Sequence, residues 1–344
     1  MKTVHLQKGY DLKLTGKPSG EVDVLPRPAR VAVVPERLRF VKPRLKVKVG
    51  DHVKVGSVLF EDKRHPTIFY RSPGAGTVSA VALGSRRVVR HIVVDLDDTE
   101  AFEEFEPIGG DALEGIDRLE LIDRLMAAGL WPLVQELPFR DAARRESRPS
   151  ALFVHLDNLD PFHPLPSAYL RGCEDLFEFG LRALERAAEA PVRVCVSKEN
   201  ASTVNGLRGR ITHVYTGSYP AHDPGVLLYR TKRSADENHA WFISGQGVLL
   251  LAYFLREGRF PTEQTLVRAG GEKPPTRQGP NRRSPLHFLR RAGGGTRQPM
   301  HCGWGVQRPA GTPGLFFKRR RNGADPPARG RREPSSIRVD AAGA

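Results

Sequence analysis

The sequence predicts an α+β protein of several units, on three observations. The first part of the chain is rich in Val, Pro and Gly and alternates apolar with polar positions, as short β-strands do. The middle alternates short apolar runs with longer runs of helical period, the order typical of a parallel sheet with crossover helices. The last part loses apolar periodicity and is rich in Arg, Pro and Gly. We therefore expect an all-β unit, an α/β unit and a low-complexity tail, in that order.

The all-β unit is expected over residues 1–98. Alternating runs bounded by turn residues predict strands there, at residues 31–34, 45–49, 58–60, 77–81 and 91–94. Residues 99–150 follow as a helical connection and linker. Apolar positions at helical spacing predict a helix over 116–128 that ends at Gly129, and residues 141–150 are polar and Arg-rich, which favours an exposed loop.

The α/β unit is expected over residues 151–275. A buried strand at 151–154, a helix at about 168–188 and a strand at 192–196 give the strand, helix, strand order of a parallel sheet. A further strand is predicted at 211–215. The apolar run from 240 to 256 predicts a strand that passes into a buried helix, because Gly245 and Gly247 interrupt it.

Two segments of the first unit carry the strongest local signal. Residues 50–63 (GDHVKVGSVLFEDK) and 72–78 (SPGAGTV) resemble the barrel-sandwich hybrid fold of lipoyl and biotinyl domains. Gly56 and Gly76 supply turn geometry that a Cβ resists. The thin core of such a fold would be filled by Val53, Val55, Leu59 and Val78.

Lys63 lies where carrier domains hold their acylated lysine. One possible function is therefore a lipoyl- or biotinyl-type carrier that uses Lys63. The hairpin from Lys63 to Tyr70 is longer than the carrier pattern, and no Met-Lys-Met is present. An ordinary surface lysine is therefore favoured.

The loop at residues 157–164 follows a predicted strand, where open α/β sheets bind ligands. It contains no glycine, and its two aspartates would repel a pyrophosphate. We therefore predict a degenerate Rossmann-like fold without flavin or NADH. His155, His163 and Asp160 are of the residue types that bind metals. A metal site is nevertheless not favoured, because scattered His and Asp residues in a loop are more often surface groups. No catalytic residue is predicted.

An apolar, aromatic loop runs from Gly129 to Arg140. Its Trp131 and Phe139 are the candidate contacts for a flat, uncharged ligand such as a quinone, or for a partner subunit. Packing within the chain itself is the alternative.

The net charge of +15 is concentrated in the tail. Residues 271–344 hold 16 Lys or Arg and 4 Asp or Glu, which leaves 38 basic and 35 acidic residues in the rest. No basic stripe with interleaved aromatics appears in that rest, so nucleic acid is not an expected partner. The tail, 276–344, is expected to be disordered or read out of frame. The alternative is that its basic run at 318–321 contacts phosphates or an anionic membrane.

Cysteine usage and hydropathy exclude other classes. Cys173, Cys195 and Cys302 are too few and too widely spaced for a disulfide framework or a metal cluster made by this chain alone. No run approaches the roughly 18 apolar residues that cross a bilayer, and the first twenty or so residues lack a signal-peptide core. A cytoplasmic location follows as the expectation.

Taken in order along the chain, these segments resemble the NqrA family, whose members are subunits of the Na(+)-translocating NADH:quinone oxidoreductase. The matching pieces cover about residues 1–275 and are residues 8–12, 42–43, 50–63, 72–78, 84–88, 129–131, 138–139, 153–158, 161–162, Gly217, Pro220, 258–260 and 269–270. The resemblance implies a peripheral protein on the cytoplasmic face of the bacterial inner membrane, one of six subunits and placed beside NqrB, the quinone-reducing one. Its membrane contact would run through those partners.

The resemblance also implies the chemistry of the whole complex. Electrons pass from NADH to ubiquinone, coupled to Na(+) export. FMN, FAD, riboflavin and iron–sulfur centres reside in partner subunits, so that an NqrA chain holds no redox cofactor and has ubiquinone as a possible bound substrate.

Two departures from the family pattern stand out. Val226–Arg230 replaces a His-x-His that follows the Pro-Gly loop in the family. After Pro275 the entry into a β-grasp (SLBB-like) third domain is replaced by the basic tail, as a frameshift would leave it.

Overall fold

A computed structural model describes residues 1–11, 18–25, 27–38, 40–159, 163–207, 209–268, 286–291 and 300–301 of the chain. Its strands are β1 (Lys2–Leu6), β2 (Pro18–Leu25), β3 (Arg30–Val33), β4 (Pro43–Leu45), β5 (His52–Val53), β6 (Val58–Asp62), β7 (His65–Arg71), β8 (Gly76–Leu83), β9 (Val89–Leu96), β10 (Gln135–Glu136), β11 (Asp141–Ala142), β12 (Leu152–His155), β13 (Val192–Ser197), β14 (Ile211–Gly217), β15 (Trp241–Ser244), β16 (Leu266–Arg268), β17 (Leu286–Arg291) and β18 (Met300–His301). Its α-helices are α1 (Gly110–Gly115), α2 (Arg118–Ala128), α3 (Pro166–Tyr169), α4 (Glu174–Ala188), α5 (Pro224–Thr231) and α6 (Gly245–Glu257).

Short strands form two small sheets in the first part of the chain. One has the order β18-β3-β9-β8-β5 and the other the order β4-β6-β7. The predicted core residues are all buried between them, at 0–4% exposure: Val53, Val55, Leu59 and Val78. The predicted strand at 45–49 is wrong, because β4 ends at Leu45 and the alternating Lys and Val residues after it form no ladder in the described chain.

The hairpin that joins β6 to β7 corrects one sequence expectation. Its turn consists of Lys63 and Arg64 alone, since the residues that follow, predicted as a long hairpin loop, form β7. Asp62 is 3% exposed and fixes the turn by accepting hydrogen bonds from the backbone N–H groups of Lys42, at 2.9 Å, and Arg64, at 3.1 Å. Lys63 is exposed at the tip.

A seven-stranded sheet with the order β1-β14-β13-β12-β15-β10-β11 forms the α/β part. The first five strands in that order are parallel, and β10 and β11 are antiparallel to their neighbours. Apolar residues of α2, α4 and α6 pack on one face of the sheet and those of α5 on the other. Such two-sided cover explains why β12 is apolar without alternation.

Two sources outside residues 151–275 extend this sheet. The first strand of the chain, β1, pairs with β14, which the sequence did not predict. The segment predicted as connection supplies β10, which pairs with β15. The predicted strands at 192–196 and 211–215, and the passage from a strand into a helix at Gly245, are confirmed.

Helix α2 confirms the predicted helix before Gly129. Asp117 caps its start by accepting from the N–H groups of Leu119, at 2.8 Å, and Glu120, at 3.2 Å. Gly129 ends it at φ 75°, a left-handed value that suits glycine. A Cβ at Gly129 would overlap the carbonyl oxygen of Phe69, so the end of α2 lies tightly against β7.

Arg71 joins the two parts of the molecule across that contact. Its Nη1 donates to the Gly56 carbonyl at 2.6 Å, its Nε donates to the Ala127 carbonyl at 2.9 Å, and its guanidinium lies 4.8 Å from the centre of the Phe105 ring. Burial lowers the pKa of Arg71 to about 10, which keeps the group charged at neutral pH.

Replacing this guanidinium is expected to loosen the joint. Arg71→Met should lower the free energy of unfolding by about 2–4 kcal/mol, because one buried and one partly buried carbonyl lose a charged donor. Urea unfolding measures the loss, and cleavage by a glutamate-specific protease between β9 and α2, at Glu100 to Glu106, should accelerate. Exposed Arg30→Met is the control; equal effects of the two changes would contradict this role for Arg71.

Most of the predicted tail, and with it the prediction of disorder, lies outside the described residues. The described part of that tail contains β17, parallel to β2, and β18, parallel to β3. Across the described ranges, no helix combines the length and the hydropathy that crossing a bilayer requires.

Candidate functional site

The candidate site lies at the carboxyl edge of the parallel strands. From β12 the chain adds β13 and then β14 on one side and later adds β15 on the other, so the strand order reverses at β12. Open α/β sheets bind ligands outside the strand ends at such a reversal. The residues that follow β12, β13 and β15 therefore decide what this edge can hold.

Asp157, just beyond β12, is the centre of a buried hydrogen-bond network. It is 3% exposed and accepts from the N–H of Ser197 at 2.9 Å, the hydroxyl of Ser197 at 2.5 Å, the amide of Asn200 at 2.6 Å and the hydroxyl of Tyr215 at 2.7 Å. These donors come from β13, the turn after it and β14. Burial, with Asp157 adding to it, holds the pKa of Tyr215 well above its ordinary value, so the phenol remains a donor. The carboxylate is saturated by the chain's own groups.

The turn from β15 into α6 is glycine-rich but covered. Ser244 caps the helix by accepting from the N–H of Gly247 at 3.1 Å. A Cβ at Gly245 would overlap the hydroxyl of Tyr169, which donates to the carbonyl of Leu156. A tyrosine from α3 thus lies where a helix N-terminus would otherwise face a phosphate.

His155, the last residue of β12, is the least explained group of this edge. It is 5% exposed, its ring centre lies 6.4 Å from that of Phe153, and neither ring nitrogen has a hydrogen-bond partner among the described residues. Burial lowers the pKa of His155 to about 3, and repulsion by His222 acts in the same direction. The ring is therefore neutral at pH 7, with a donor and an acceptor to offer.

The structure does not bring the two aromatic candidates together on one surface. Trp131 is fully buried, donates from Nε1 to the carbonyl of Ala143 at 2.6 Å and packs edge to face on Trp241, with ring centres 5.4 Å apart. Phe139 is 80% exposed in the loop between β10 and β11. The sequence left open whether this loop contacts a ligand or partner or packs within its own chain. Trp131 packs within the chain, and Phe139 does not.

Of the remaining metal-site candidates, His163 lies among the described residues. Burial lowers the pKa of His163, whose Nδ1 lies 3.0 Å from the carbonyl oxygen of Pro164. Asp160 lies outside the described residues. Across the described chain, no three His, Cys, Asp or Glu side chains converge as metal ligands would.

Sequence reasoning missed the roles of Asp157, Tyr169 and Tyr215. The sequence presents Asp157 only as a repulsive charge in a loop, and its partners lie 40 or more residues later in the chain. The usable signal is position, because Asp157 and Ser197 both lie at the ends of strands of one parallel sheet, and such ends meet.

The comparisons with known proteins cover both parts of the molecule. Residues 4–97 match the NqrA N-terminal barrel-sandwich hybrid domain, and residues 116–260 match the NqrA second alpha/beta domain. The chain belongs to the NqrA family. The resemblance predicted from the ordered motifs is thereby confirmed, and NqrA membership does not favour a carrier at Lys63.

Curated relatives agree with that NqrA assignment. The NqrA chain of the Na(+)-translocating NADH-quinone reductase of Pseudomonas aeruginosa is 32% identical over 274 residues, which cover 79% of this chain and 61% of that protein. The corresponding chain of Rhodopirellula baltica is 30% identical over 77% of this chain and 58% of its own length. That of Klebsiella pneumoniae is 29% identical over 78% and 60%. This chain therefore spans about three fifths of the length of these NqrA relatives.

Proposed function

We propose that the chain acts as the NqrA component of a Na(+)-translocating NADH:ubiquinone reductase, in a structural role and without a redox group of its own. The observation that carries the proposal is that two NqrA domains match consecutive parts of the chain, the N-terminal domain at residues 4–97 and the second domain at residues 116–260. The relatives are named as subunits of such a reductase. NADH oxidation, quinone reduction and Na(+) export would belong to the assembled complex.

The filled carboxyl edge supports the cofactor-free part of this proposal. Tyr169 covers Gly245, and Asp157 already accepts four hydrogen bonds from its own chain. A dinucleotide needs free backbone N–H groups and glycines at that edge. The fold is in this sense a degenerate Rossmann-like domain, and FMN, FAD, riboflavin and iron–sulfur centres would reside in partner subunits.

The proposed division of the chain is residues 1–98 as barrel-sandwich unit, 99–150 as connection, 151–275 as α/β unit and 276–344 as tail. The separate sheet systems of the two units support it, although β1 and β10 tie them together. The tail would stand in place of an SLBB-like domain and be read out of frame, which resequencing the gene around Pro275 tests.

The proposed location is the cytoplasmic face of the inner membrane, beside NqrB in a six-subunit complex. The surface offered to that partner or to ubiquinone would be the loop of Phe139, because an exposed aromatic side chain at a hairpin tip is typical of a contact surface. Trp131 would support this loop from the core through its hydrogen bond to Ala143.

Complementation tests the proposal directly. The chain is expressed in Pseudomonas aeruginosa cells that lack their own NqrA, and the complex is purified through an affinity tag on a partner subunit. We expect the chain to co-purify with the complex and to carry no stoichiometric flavin or iron when isolated. Phe139→Ala should lower quinone reduction or recovery of the complex.

The control is Tyr229→Ala, which removes another exposed aromatic ring, 69% exposed, from α5. A chain that never joins the complex would contradict the NqrA role. Intact-mass measurement tests the alternative function, since a lipoyl or biotinyl adduct on Lys63 would replace the proposal by a carrier.

A further inference from the structure

The hairpin between β8 and β9 combines exposed charge with exposed apolar surface. Residues 85–88 form its turn, in which the N–H of Val88 donates to the carbonyl of Ser85 at 3.3 Å. Arg86, Arg87 and Arg90 are exposed on it. Leu83 is 46% and Val88 49% exposed, so two aliphatic side chains lie among the three arginines.

These arginines differ from most others in the molecule. Elsewhere in the described chain, guanidinium groups hold carboxylates in the pairs Arg30–Asp95, Arg44–Glu61, Arg124–Glu120, Arg145–Asp123 and Arg210–Glu185. Among the same described residues, no carboxylate pairs with Arg86, Arg87 or Arg90. The segment that packs on β9 beside the hairpin carries Glu36 and Arg37, whose charges balance. The hairpin therefore carries a local charge of +3, although residues 1–270 as a whole are nearly neutral.

The turn also keeps its arginines in an unfavourable backbone conformation. Arg86 has φ 55° and Arg87 φ 57°, so both central residues are left-handed, as in a type I′ turn. Asn-Gly is the usual choice there, since a Cβ disfavours this region. Asn-Gly in place of Arg86 and Arg87 would relieve this backbone strain. That the chain has two arginines here instead points to a role for their side chains.

We infer that this hairpin docks on the anionic phosphate surface of a lipid bilayer. Three unpaired arginines complement lipid phosphates, and Leu83 and Val88 are placed to enter the boundary between headgroups and acyl chains. Exposed aliphatic groups beside the charges favour a bilayer over a soluble polyanion, which would leave them in water. The inference rests on the hairpin alone and goes beyond the proposed function, which assigns membrane contact to partner subunits.

The decisive variant is Arg86→Asn with Arg87→Gly in the full chain. It installs the preferred turn, so the midpoint of urea unfolding should rise, and a loss of binding cannot then be attributed to misfolding. Sedimentation with phosphatidylglycerol-containing vesicles should show a partition coefficient lower by about thirtyfold, at ~1 kcal/mol per arginine. Phosphatidylcholine vesicles should bind neither form.

The matched control removes the same charge elsewhere, by Arg230→Gln with Arg233→Gln on and just after α5. If both pairs weaken vesicle binding equally, binding follows net charge, the basic tail included, and the inference is overturned. Leu83→Ser with Val88→Ser should weaken vesicle binding while leaving poly-glutamate binding unchanged. Unchanged vesicle binding by this variant would instead assign the hairpin to an acidic protein.

Discussion

Mild acid is expected to unfold this protein before its carboxylates are protonated. His155 and His222 are both buried, and burial is the main cause that lowers their pKa values, to about 3 and about 4, from an ordinary 6.5. The unfolded chain therefore binds more protons than the folded chain below pH 6.5. Their contribution to stability is complete above the unfolded pKa and is lost as the pH falls toward the folded values.

The expected loss is large. Each of the two histidines should remove about 2 kcal/mol from the free energy of unfolding by about pH 5, so together they remove about 4 kcal/mol. This is a substantial part of the roughly 5–15 kcal/mol that stabilises a typical domain. Urea unfolding followed by circular dichroism at a series of pH values measures the decline.

His155→Phe separates this cause from general acid sensitivity. Phenylalanine is an aromatic ring that does not titrate, so the His155 share of the decline, about 2 kcal/mol by pH 5, should disappear. His65→Phe, at an exposed position in β7, is the control. Should the His155 variant fold poorly, NMR titration of the unmodified protein gives the same answer, and a His155 ring that takes up its proton near pH 6.5 would disprove the argument.

Local chemistry made much of the fold predictable from the sequence. The runs that became β3, β6, β8 and β9 are Val-rich and bounded by turns, and α2 has a helical apolar stripe that ends at glycine. Lys46 and Val47 show the limit of such patterns. They alternate like a strand, yet the ladder of β4 with β6 ends at the pair of Leu45 and Phe60.

Long-range pairing was the part that the sequence could not supply. Strand β1 joins β14 from more than 200 residues away, and nothing in KTVHL says which edge it will extend. The same limit applies to the site. Trp131 and Phe139 are close in sequence and similar in character, but one is fully buried and the other 80% exposed. Burial of that kind depends on Trp241 and Ala143, which only the folded chain brings to Trp131.

Removing the Asp157 carboxylate is expected to destabilise the protein more than removing any exposed acid. Asp157→Ala leaves the hydroxyl of Tyr215, the amide of Asn200 and two donors of Ser197 without their common acceptor. Buried donors that lose a charged acceptor cost about 3–5 kcal/mol in total. The midpoint of urea unfolding measures the loss.

Asp117→Ala is the matched comparison, because it removes an aspartate whose carboxylate accepts two backbone hydrogen bonds at an exposed helix start. That change should cost only about 1 kcal/mol, the usual value for a cap. Asp157→Asn should fall between the two, since an amide keeps the shape but replaces one acceptor by a donor that faces other donors. Equal losses from Asp157→Ala and Asp117→Ala would mean that water replaces the carboxylate at the strand ends, and the edge would then have room for a ligand after all.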